Sequence, residues 1–184
     1  WTYDGASWQS FPTPQLNIAN HRIAYDSDRQ RIILLVFSHA VFTGTPAREV
    51  WEWNGAQWSQ SPDRPFDGGS TIAYDPSRQR LIVCRNTSST VFGETWELAP
   101  AAGVWTLRAT NGPDVTPSQM AFDAARARAV QYEGFSPFPP KTWEYNGAGT
   151  LTPTVIVDQP KNLDVLPGSR ATITVIAQSS APLA

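Results

Sequence analysis

One sequence block returns along this chain at a period of 45 to 50 residues, and that repeat limits the folds available to it. Each copy reads aromatic-Asp, a short polar turn, Arg-x-Arg, an apolar run, a variable loop and Trp-Glu. The first marker contains Tyr25, Tyr74 and Phe122, which lie 49 and 48 residues apart. The second marker begins at Trp1, Trp51, Trp96 and Trp143, with spacings of 50, 45 and 47 residues. Two markers with one period predict one supersecondary unit per copy.

The pattern within each copy predicts four antiparallel strands. The first strand alternates and ends in Asp, and the second is a continuous apolar run such as Ile32 to Phe37, which indicates burial on both faces. The alternating Trp-Glu strand follows the variable loop and leads to an Asp-Gly or Asn-Gly pair, which favours a two-residue hairpin. Trp8, Trp58 and Trp105 then mark a fourth, outer strand.

This unit predicts an all-β fold and is typical of a blade of a β-propeller, packed between two neighbouring blades. A β-sandwich would not repeat its own sequence at this period. A helical solenoid is disfavoured because Pro and Gly interrupt every copy and no helical apolar spacing is present.

The pattern Ala-Tyr-Asp-x-x-Arg-x-Arg, followed by Trp-Glu-Tyr-Asn-Gly, resembles the kelch-type motif of bacterial β-propellers over residues 1–149. The resemblance implies about three kelch-like, four-stranded antiparallel blades that form a partial propeller. The chain departs from the motif where kelch blades usually carry a Gly-Gly pair after the second strand. Ser38-His39, Arg85-Asn86 and Glu133-Gly134 stand there instead, which concerns the following loop and not the strands.

The composition changes in residues 150–184, which contain no Trp and neither repeat marker. This segment resembles the start of a bacterial immunoglobulin-like domain. The resemblance implies an edge strand at Thr154 to Val157, a turn at Pro167 to Ser169 and an alternating strand at Ala171 to Ala177. A complete immunoglobulin-like sandwich needs about seven strands in roughly 100 residues, so we expect only its N-terminal strands here.

The number of copies also predicts that the propeller is incomplete. Propellers close with about four to eight blades, and an unclosed terminal blade exposes an apolar face. We expect the remaining blades of a longer polypeptide, or alternatively neighbouring subunits, to close it.

Composition disfavours several classes of partner. Charged residues make up only 16% of the chain and the formal net charge is −2, so no strong positive field is available to bind nucleic acid. No stretch approaches the roughly 20 apolar residues of a membrane span, and we predict no membrane insertion. Cys84 is the only cysteine, which excludes an internal disulfide, and its place in an apolar strand predicts a buried small hydrophobe.

Charged residues recur at fixed places in the copies, and we interpret them as structural. Asp is expected to form the turns and Arg to hydrogen-bond between neighbouring blades. A group repeated around an axis does not converge on one catalytic centre, so we predict no catalytic residue, no metal site and no cofactor. The residues concerned are Asp26, Asp75, Asp123, Arg31, Arg80, Arg128, Glu52, Glu97 and Glu144.

An enzyme remains an alternative. Galactose-oxidase-like copper enzymes join a kelch propeller to an immunoglobulin-like domain, and the resemblance to both parts raises that activity. Their site needs two His, a Tyr ligand and a Tyr cross-linked to Cys. This sequence has only His21 and His39 and no such cluster, so the active residues of such an enzyme, or of another propeller enzyme, would lie outside this segment. A further alternative is an architectural subunit of a large assembly.

The loops at one rim of the predicted propeller are the candidate binding sites. Segments 38–48, 85–94 and 133–141 vary while the strands do not, and a rigid scaffold presents recognition residues on such loops. We predict a noncatalytic module of an extracellular or cell-envelope multidomain protein, whose rim loops contact a protein or carbohydrate partner. The candidate contact residues are His39, Phe42, Arg85, Phe92, Phe135 and Phe138.

Overall fold

The computed structural model is built from antiparallel β-strands, and its described residues contain no helix. It describes residues 1–13, 20–37, 48–66, 70–85, 93–113, 118–133, 141–147, 151–158 and 176–178. The strands are β1 (Thr2–Tyr3), β2 (Trp8–Gln9), β3 (Asn20–Asp26), β4 (Arg31–Phe37), β5 (Val50–Trp53), β6 (Trp58–Ser61), β7 (Ser70–Asp75), β8 (Arg80–Arg85), β9 (Gly93–Ala99), β10 (Val104–Gly112), β11 (Ser118–Asp123), β12 (Arg128–Glu133), β13 (Lys141–Tyr145), β14 (Leu151–Asp158) and β15 (Ile176–Gln178).

Each copy of the repeat forms its own antiparallel sheet. The first sheet has the order β3-β4-β5-β6, the second has β7-β8-β9-β10, and the third has β11-β12-β13-β14 with β15 added beyond β14. β1 and β2 form a separate two-stranded sheet. The prediction of an all-β fold is confirmed, and the first two copies each form the predicted four antiparallel strands. The outer strands β2, β6 and β10 begin at or beside the predicted Trp residues.

The turn between the first two strands of each sheet has the same backbone shape in all three copies. The residue before the second Arg adopts a left-handed conformation, with φ of 53° at Gln30, 54° at Gln79 and 51° at Ala127. The preceding Asp stabilises this turn because its carboxylate accepts hydrogen bonds from backbone N–H groups within it, as Asp26 does from Asp28 and Arg29 at 3.1 Å.

The Asn-Gly hairpin differs from the sequence prediction. Trp53 pairs directly with Trp58, and the Asn54 N–H donates to the Gln57 backbone oxygen at 3.3 Å. The chain therefore reverses over residues 54–57, and Asn54-Gly55 are not the central pair of a two-residue loop as predicted. The Asn54 Oδ1 atom accepts hydrogen bonds from the N–H groups of Ala56 and Gln57, both at 2.9 Å. Gly55 takes a φ of 95°, which a residue with a Cβ rarely adopts.

The sheets pack face to face, with their first strands side by side. β7 contacts both β3 and β11, so the second sheet lies between the other two. One apolar cluster joins the first and second sheets through Ile33, Leu35, Phe37, Val50, Phe66, Ile72, Leu81, Val83 and Leu98. A smaller cluster joins the second and third sheets through Ile82, Ala129 and Tyr145. The middle strand β8 therefore buries both faces, as its continuous apolar run predicts.

The C-terminal segment begins as part of the third sheet. β14 pairs with β13 through residues 151–154 and with β15 through residues 155–158. Sequence reasoning gave Thr154 to Val157 to an edge strand of a second domain and did not assign β14 to the third sheet. The predicted turn at Pro167 to Ser169, and most of the strand predicted at Ala171 to Ala177, lie outside the described residues.

Candidate functional site

The charged residues of the repeat meet at one end of the strands in each sheet. We call this side of the sheets the turn edge, because the Asp turns and the Asn-Gly hairpin lie there. In the first sheet Arg29 joins two carboxylates. Its Nε donates to Asp26 Oδ2 at 2.7 Å, and its two terminal nitrogens donate to Glu52 at 2.9 and 3.1 Å. This fork holds the turn of β3 and β4 against the third strand of the same sheet.

The second sheet contains the cluster with the most buried glutamate, Glu97, whose side chain is 1% exposed. The Arg78 guanidinium bridges two carboxylates there, with its Nε donating to Asp75 and one terminal nitrogen donating to Glu97. Glu97 also accepts hydrogen bonds from Arg108 Nε at 2.8 Å and from the Tyr145 hydroxyl of the third sheet at 2.9 Å. The carboxylate of Glu97 therefore ties three strands of two sheets together.

The third sheet has the most exposed version. Arg126 donates to Asp123 at 2.7 Å and to Glu144 at 2.8 Å, and Arg128 donates to the other oxygen of Glu144 at 2.7 Å. In each sheet an arginine thus joins the Asp of the turn to the Glu of the third strand, while the exposure of these side chains differs from sheet to sheet.

One part of the sequence interpretation is wrong. The arginines expected to hydrogen-bond between neighbouring blades were Arg31, Arg80 and Arg128, but the bonds described for them lie within their own sheets. The forked contacts belong to the first arginine of each Arg-x-Arg pair. The hydrogen bonds described between sheets have uncharged donors, such as the Thr71 hydroxyl, which donates to Gln131 Oε1 at 3.0 Å.

The electrostatics of these clusters favour a structural role. Burial disfavours the charged form of Asp26, but hydrogen bonds from Arg29 outweigh it and hold the pKa of Asp26 below its ordinary value. The Asp26 carboxylate is therefore ionised at neutral pH and already bonded to a cation. A group in that state is a poor general base, because a general base needs a pKa near the working pH and a free lone pair.

Cys84 has no features of a reactive thiol. It is buried between the second and third sheets, and burial raises its pKa to about 12 despite a contact with the Thr95 hydroxyl at 3.6 Å. The prediction that Cys84 is a buried small hydrophobe is confirmed. A cavity of about 10 Å³ lies beside it, lined by Met120, Trp143 and Tyr145 among others. That volume holds about one water molecule and no substrate.

The candidate binding residues belong to the segments that join the strands at their opposite ends. We call this side of the sheets the loop edge. Segments 38–47, 86–92 and 134–140 connect strand ends at this edge and lie outside the described residues. His39, Phe42, Phe92, Phe135 and Phe138 fall in these segments, and their role stays a prediction.

Arg85 is the one candidate contact residue within the described ranges. Its Nε forms an ion pair with Glu94 at 2.7 Å, and its guanidinium lies 5.5 Å from the centre of the Phe66 ring. Burial disfavours charge on Glu94, but hydrogen bonds from Arg85 and Trp96 hold the pKa of Glu94 below its ordinary value. Arg85 is thus fixed in place at the base of a loop, and its contact with a partner stays a prediction.

Sequence reasoning missed Arg64, which is almost completely buried at the loop edge. Its guanidinium lies 4.3 Å from the centre of the Phe37 ring and donates to the backbone oxygen of Val36 at 2.8 Å. The residue lies in the connection between the first two sheets, and no Arg occupies the corresponding connection before the third copy. The repeat therefore contains no signal for it.

Comparison with known proteins adds no identification. No family model matches the chain, and no curated protein matches it at a significant level.

Across the described ranges, no group of three or more His, Cys, Asp or Glu side chains is placed to hold a metal ion. No helix of the described residues is long and apolar enough to cross a membrane.

Proposed function

We propose that this chain is a noncatalytic binding module of a larger extracellular or cell-envelope protein, and that its three sheets are kelch-like blades of a β-propeller. The observation that carries the proposal is the stacking of successive sheets with β3, β7 and β11 adjacent. Blades arranged around an axis need their first strands next to one another and their faces in contact, and the packing of the second sheet between the other two satisfies both conditions.

The noncatalytic part of the proposal is supported by the way the recurrent charges are used. Within the described residues, the carboxylate clusters are bonded to arginines of their own sheets, and none of these carboxylates lines the small cavity beside Cys84. The sheets share one strand order, as expected of a scaffold, and the loop edge is where the copies differ in sequence. The tail of the chain is, in this proposal, the start of an immunoglobulin-like spacer.

The loop-edge aromatic residues provide the test of binding. The unchanged protein is applied to a glycan array and to a phage-displayed peptide library, which separate carbohydrate from protein recognition. We expect the triple substitution Phe42→Ala, Phe92→Ala and Phe138→Ala to weaken the selected interaction by about tenfold or more, since aromatic anchors often dominate binding energy. Trp8→Ala is the matched control, because Trp8 is an exposed aromatic residue at the turn edge. An unchanged profile for the triple variant would remove the loop edge as the site.

An architectural subunit of a large assembly is a second candidate. The observation that favours it is the exposure of large apolar side chains on the two outermost sheet faces, at Ile23 and Tyr25 on the first sheet and at Tyr132 on the third. Contacts in such an assembly would lie on these faces and not on the loop edge.

A further inference from the structure

The interface between the first and second sheets contains a polar contact that depends on which two sheets are neighbours. The Tyr74 hydroxyl donates to Asp28 Oδ2 at 2.8 Å, and Gln79 Nε2 donates to Asp28 Oδ1 at 3.2 Å. Ile72, on the same strand as Tyr74, belongs to the apolar cluster between the two sheets. The Asp28 carboxylate in the turn of the first sheet thus accepts two hydrogen bonds from side chains of the second sheet.

The interface between the second and third sheets changes all three of these positions together. Ser77 stands in place of Asp28, Phe122 in place of Tyr74, and Ala127 in place of Gln79. The Ser77 hydroxyl donates to Asp75 of its own turn at 2.6 Å. Where the acceptor is absent, both donors are absent too, so the acceptor and its donors act as one matched set.

The first sheet carries the donors of this set, but among the residues that the structure describes no acceptor faces them. Tyr25 and Gln30 occupy the positions of Tyr74 and Gln79, and Gln30 has the same left-handed backbone as Gln79. Ala24 packs toward the second sheet, so Ile23 and Tyr25 point to the opposite face, because side chains alternate along a strand. Ile23 and Tyr25 are 61% and 55% exposed, whereas Ile72 and Tyr74 are each 7% exposed. We call this surface the leading face.

The third sheet of a second copy does not fit the leading face. Gln131 accepts a bond from the second sheet, so Tyr132 points away from it and marks the trailing face of the stack. The turn of the third sheet has Ala125 at the position of Asp28, and alanine offers no acceptor to Tyr25 or Gln30. If the trailing face of one copy packed on the leading face of another, the Tyr25 hydroxyl would be buried without a hydrogen bond like the one that the Tyr74 hydroxyl donates to Asp28.

The N-terminal hairpin supplies part of the missing neighbour. β1 and β2 match β5 and β6 position by position, with Trp-x-aromatic-Asp/Asn-Gly leading to a second Trp. The Asp4 Oδ1 atom accepts bonds from the N–H groups of Ala6 and Ser7, both at 2.8 Å, as Asn54 does in the first sheet. β1 and β2 are thus the outer half of a sheet whose inner hairpin is not among the described strands.

We propose that the leading face binds a fourth inner hairpin of this repeat, with a carboxylate at the position of Asp28, which completes a sheet with β1 and β2. The three Asp-x-x-Arg-x-Arg turns of this sequence already belong to the three sheets, so the hairpin is not one of them. The inference rests on the sheet stacking of the propeller proposal and is independent of ligand binding at the loop edge.

A double-mutant cycle tests this pairing. The probe is the hairpin of residues 20–37 displayed on a soluble carrier, with either Asp28 or the substitution Asp28→Ala, which copies the turn of the third sheet. We expect the 184-residue protein to bind the Asp28 probe about tenfold or more tightly than the Asp28→Ala probe, as a hydrogen bond to a charged acceptor predicts. The substitution Tyr25→Phe in the protein should remove most of this difference.

Tyr132→Phe in the protein is the matched control, because Tyr132 is equally exposed but lies on the trailing face, and it should leave the difference intact. Three results would overturn the proposal. The first is failure of the protein to bind the Asp28 probe, and the second is equal loss for Tyr25→Phe with both probes. The third is self-association of the protein in sedimentation experiments that Ile23→Asp abolishes, which would assign the leading face to a second copy. None of these results bears on glycan or peptide binding at the loop edge.

Discussion

The three glutamates of the Trp-Glu strands provide a graded test of how burial sets the strength of the charged clusters. Glu52, Glu97 and Glu144 occupy the same place in successive sheets, and each accepts bonds from arginines. The Glu97 side chain is 1% exposed, against 10% for Glu52 and 14% for Glu144, and Arg126, the partner of Glu144, is 51% exposed. We expect substitution by Gln to destabilise the protein in the order Glu97, then Glu52, then Glu144.

The magnitude for Glu97→Gln follows from its contacts. Glutamine keeps the size of the side chain but removes the negative charge that balances Arg78 and Arg108. Its single carbonyl oxygen replaces the two carboxylate oxygens that accept hydrogen bonds from Arg78, Arg108 and the Tyr145 hydroxyl. Removing one partner of a fully buried ion pair costs about 3–5 kcal/mol. Because the Arg78 and Arg108 side chains remain 31% and 40% exposed, we expect the lower part of this range, about 3–4 kcal/mol, which is still a large part of the about 5–15 kcal/mol that holds a typical domain folded. For Glu52→Gln we expect about 1.5–3 kcal/mol, the range for a hydrogen bond to a charged group. Glu144→Gln should have the smallest effect, because water screens its partner.

Urea unfolding, followed by tryptophan fluorescence and by far-ultraviolet circular dichroism, measures these differences. With a slope of about 2 kcal/mol per molar urea, Glu97→Gln should lower the midpoint by about 2 M. The two signals must coincide, because stacked repeats can unfold in separate steps. Equal midpoint shifts for Glu97→Gln and Glu144→Gln, or a larger shift for Glu144→Gln, would refute the reasoning that burial sets the strength of each cluster.

Two further predictions concern single titratable groups. The pKa of Asp26 is lower in the folded protein than its ordinary value of 3.8, so its stabilising effect is present above that value and is lost as the pH falls through the folded pKa. Urea midpoints of the unchanged protein should therefore fall more steeply than those of Asp26→Asn as the pH is lowered below about 4, and parallel curves would contradict this. Cys84, whose pKa burial raises to about 12, should resist Ellman's reagent at pH 8 in the native state and react fully in urea. Rapid labelling of the native protein would show that this interface opens.

The strand arrangement could be predicted because its signals are local and repeated. The apolar run of β4 and the alternating Trp-Glu pattern of β5 each indicate a strand, and recurrence in three copies confirms their order. The turn edge could be predicted in part. The sequence assigns Asp26 to the turn, but Arg-x-Arg offers two identical side chains, and the pattern does not distinguish Arg29, which reaches both carboxylates, from Arg31.

The role of β14 could not be predicted, for a physical reason. A fourth strand joins the sheet through backbone hydrogen bonds, which any extended segment can make, so the Trp of the other outer strands is not required. Pro153 lies opposite Trp143 in a stretch that β15 does not pair with, a place where the missing N–H of proline is tolerated. The fold therefore accepts at this position a segment that the repeat pattern does not describe.

The order of the sheets is encoded at positions that the repeat pattern treats as variable. Aligned as copies of one motif, Asp28, Ser77 and Ala125 look like unconstrained turn residues. In the structure, Asp28 accepts a hydrogen bond from the Tyr74 hydroxyl across the interface between two sheets. Exchanging the second and third sheets would place Phe122, which has no hydroxyl, where this donor is needed. A buried polar group left without its partner costs about 1–3 kcal/mol, which is enough to favour one neighbour over another by at least about fivefold. Residues that differ between copies thus specify which sheet follows which, while the shared residues hold each sheet together.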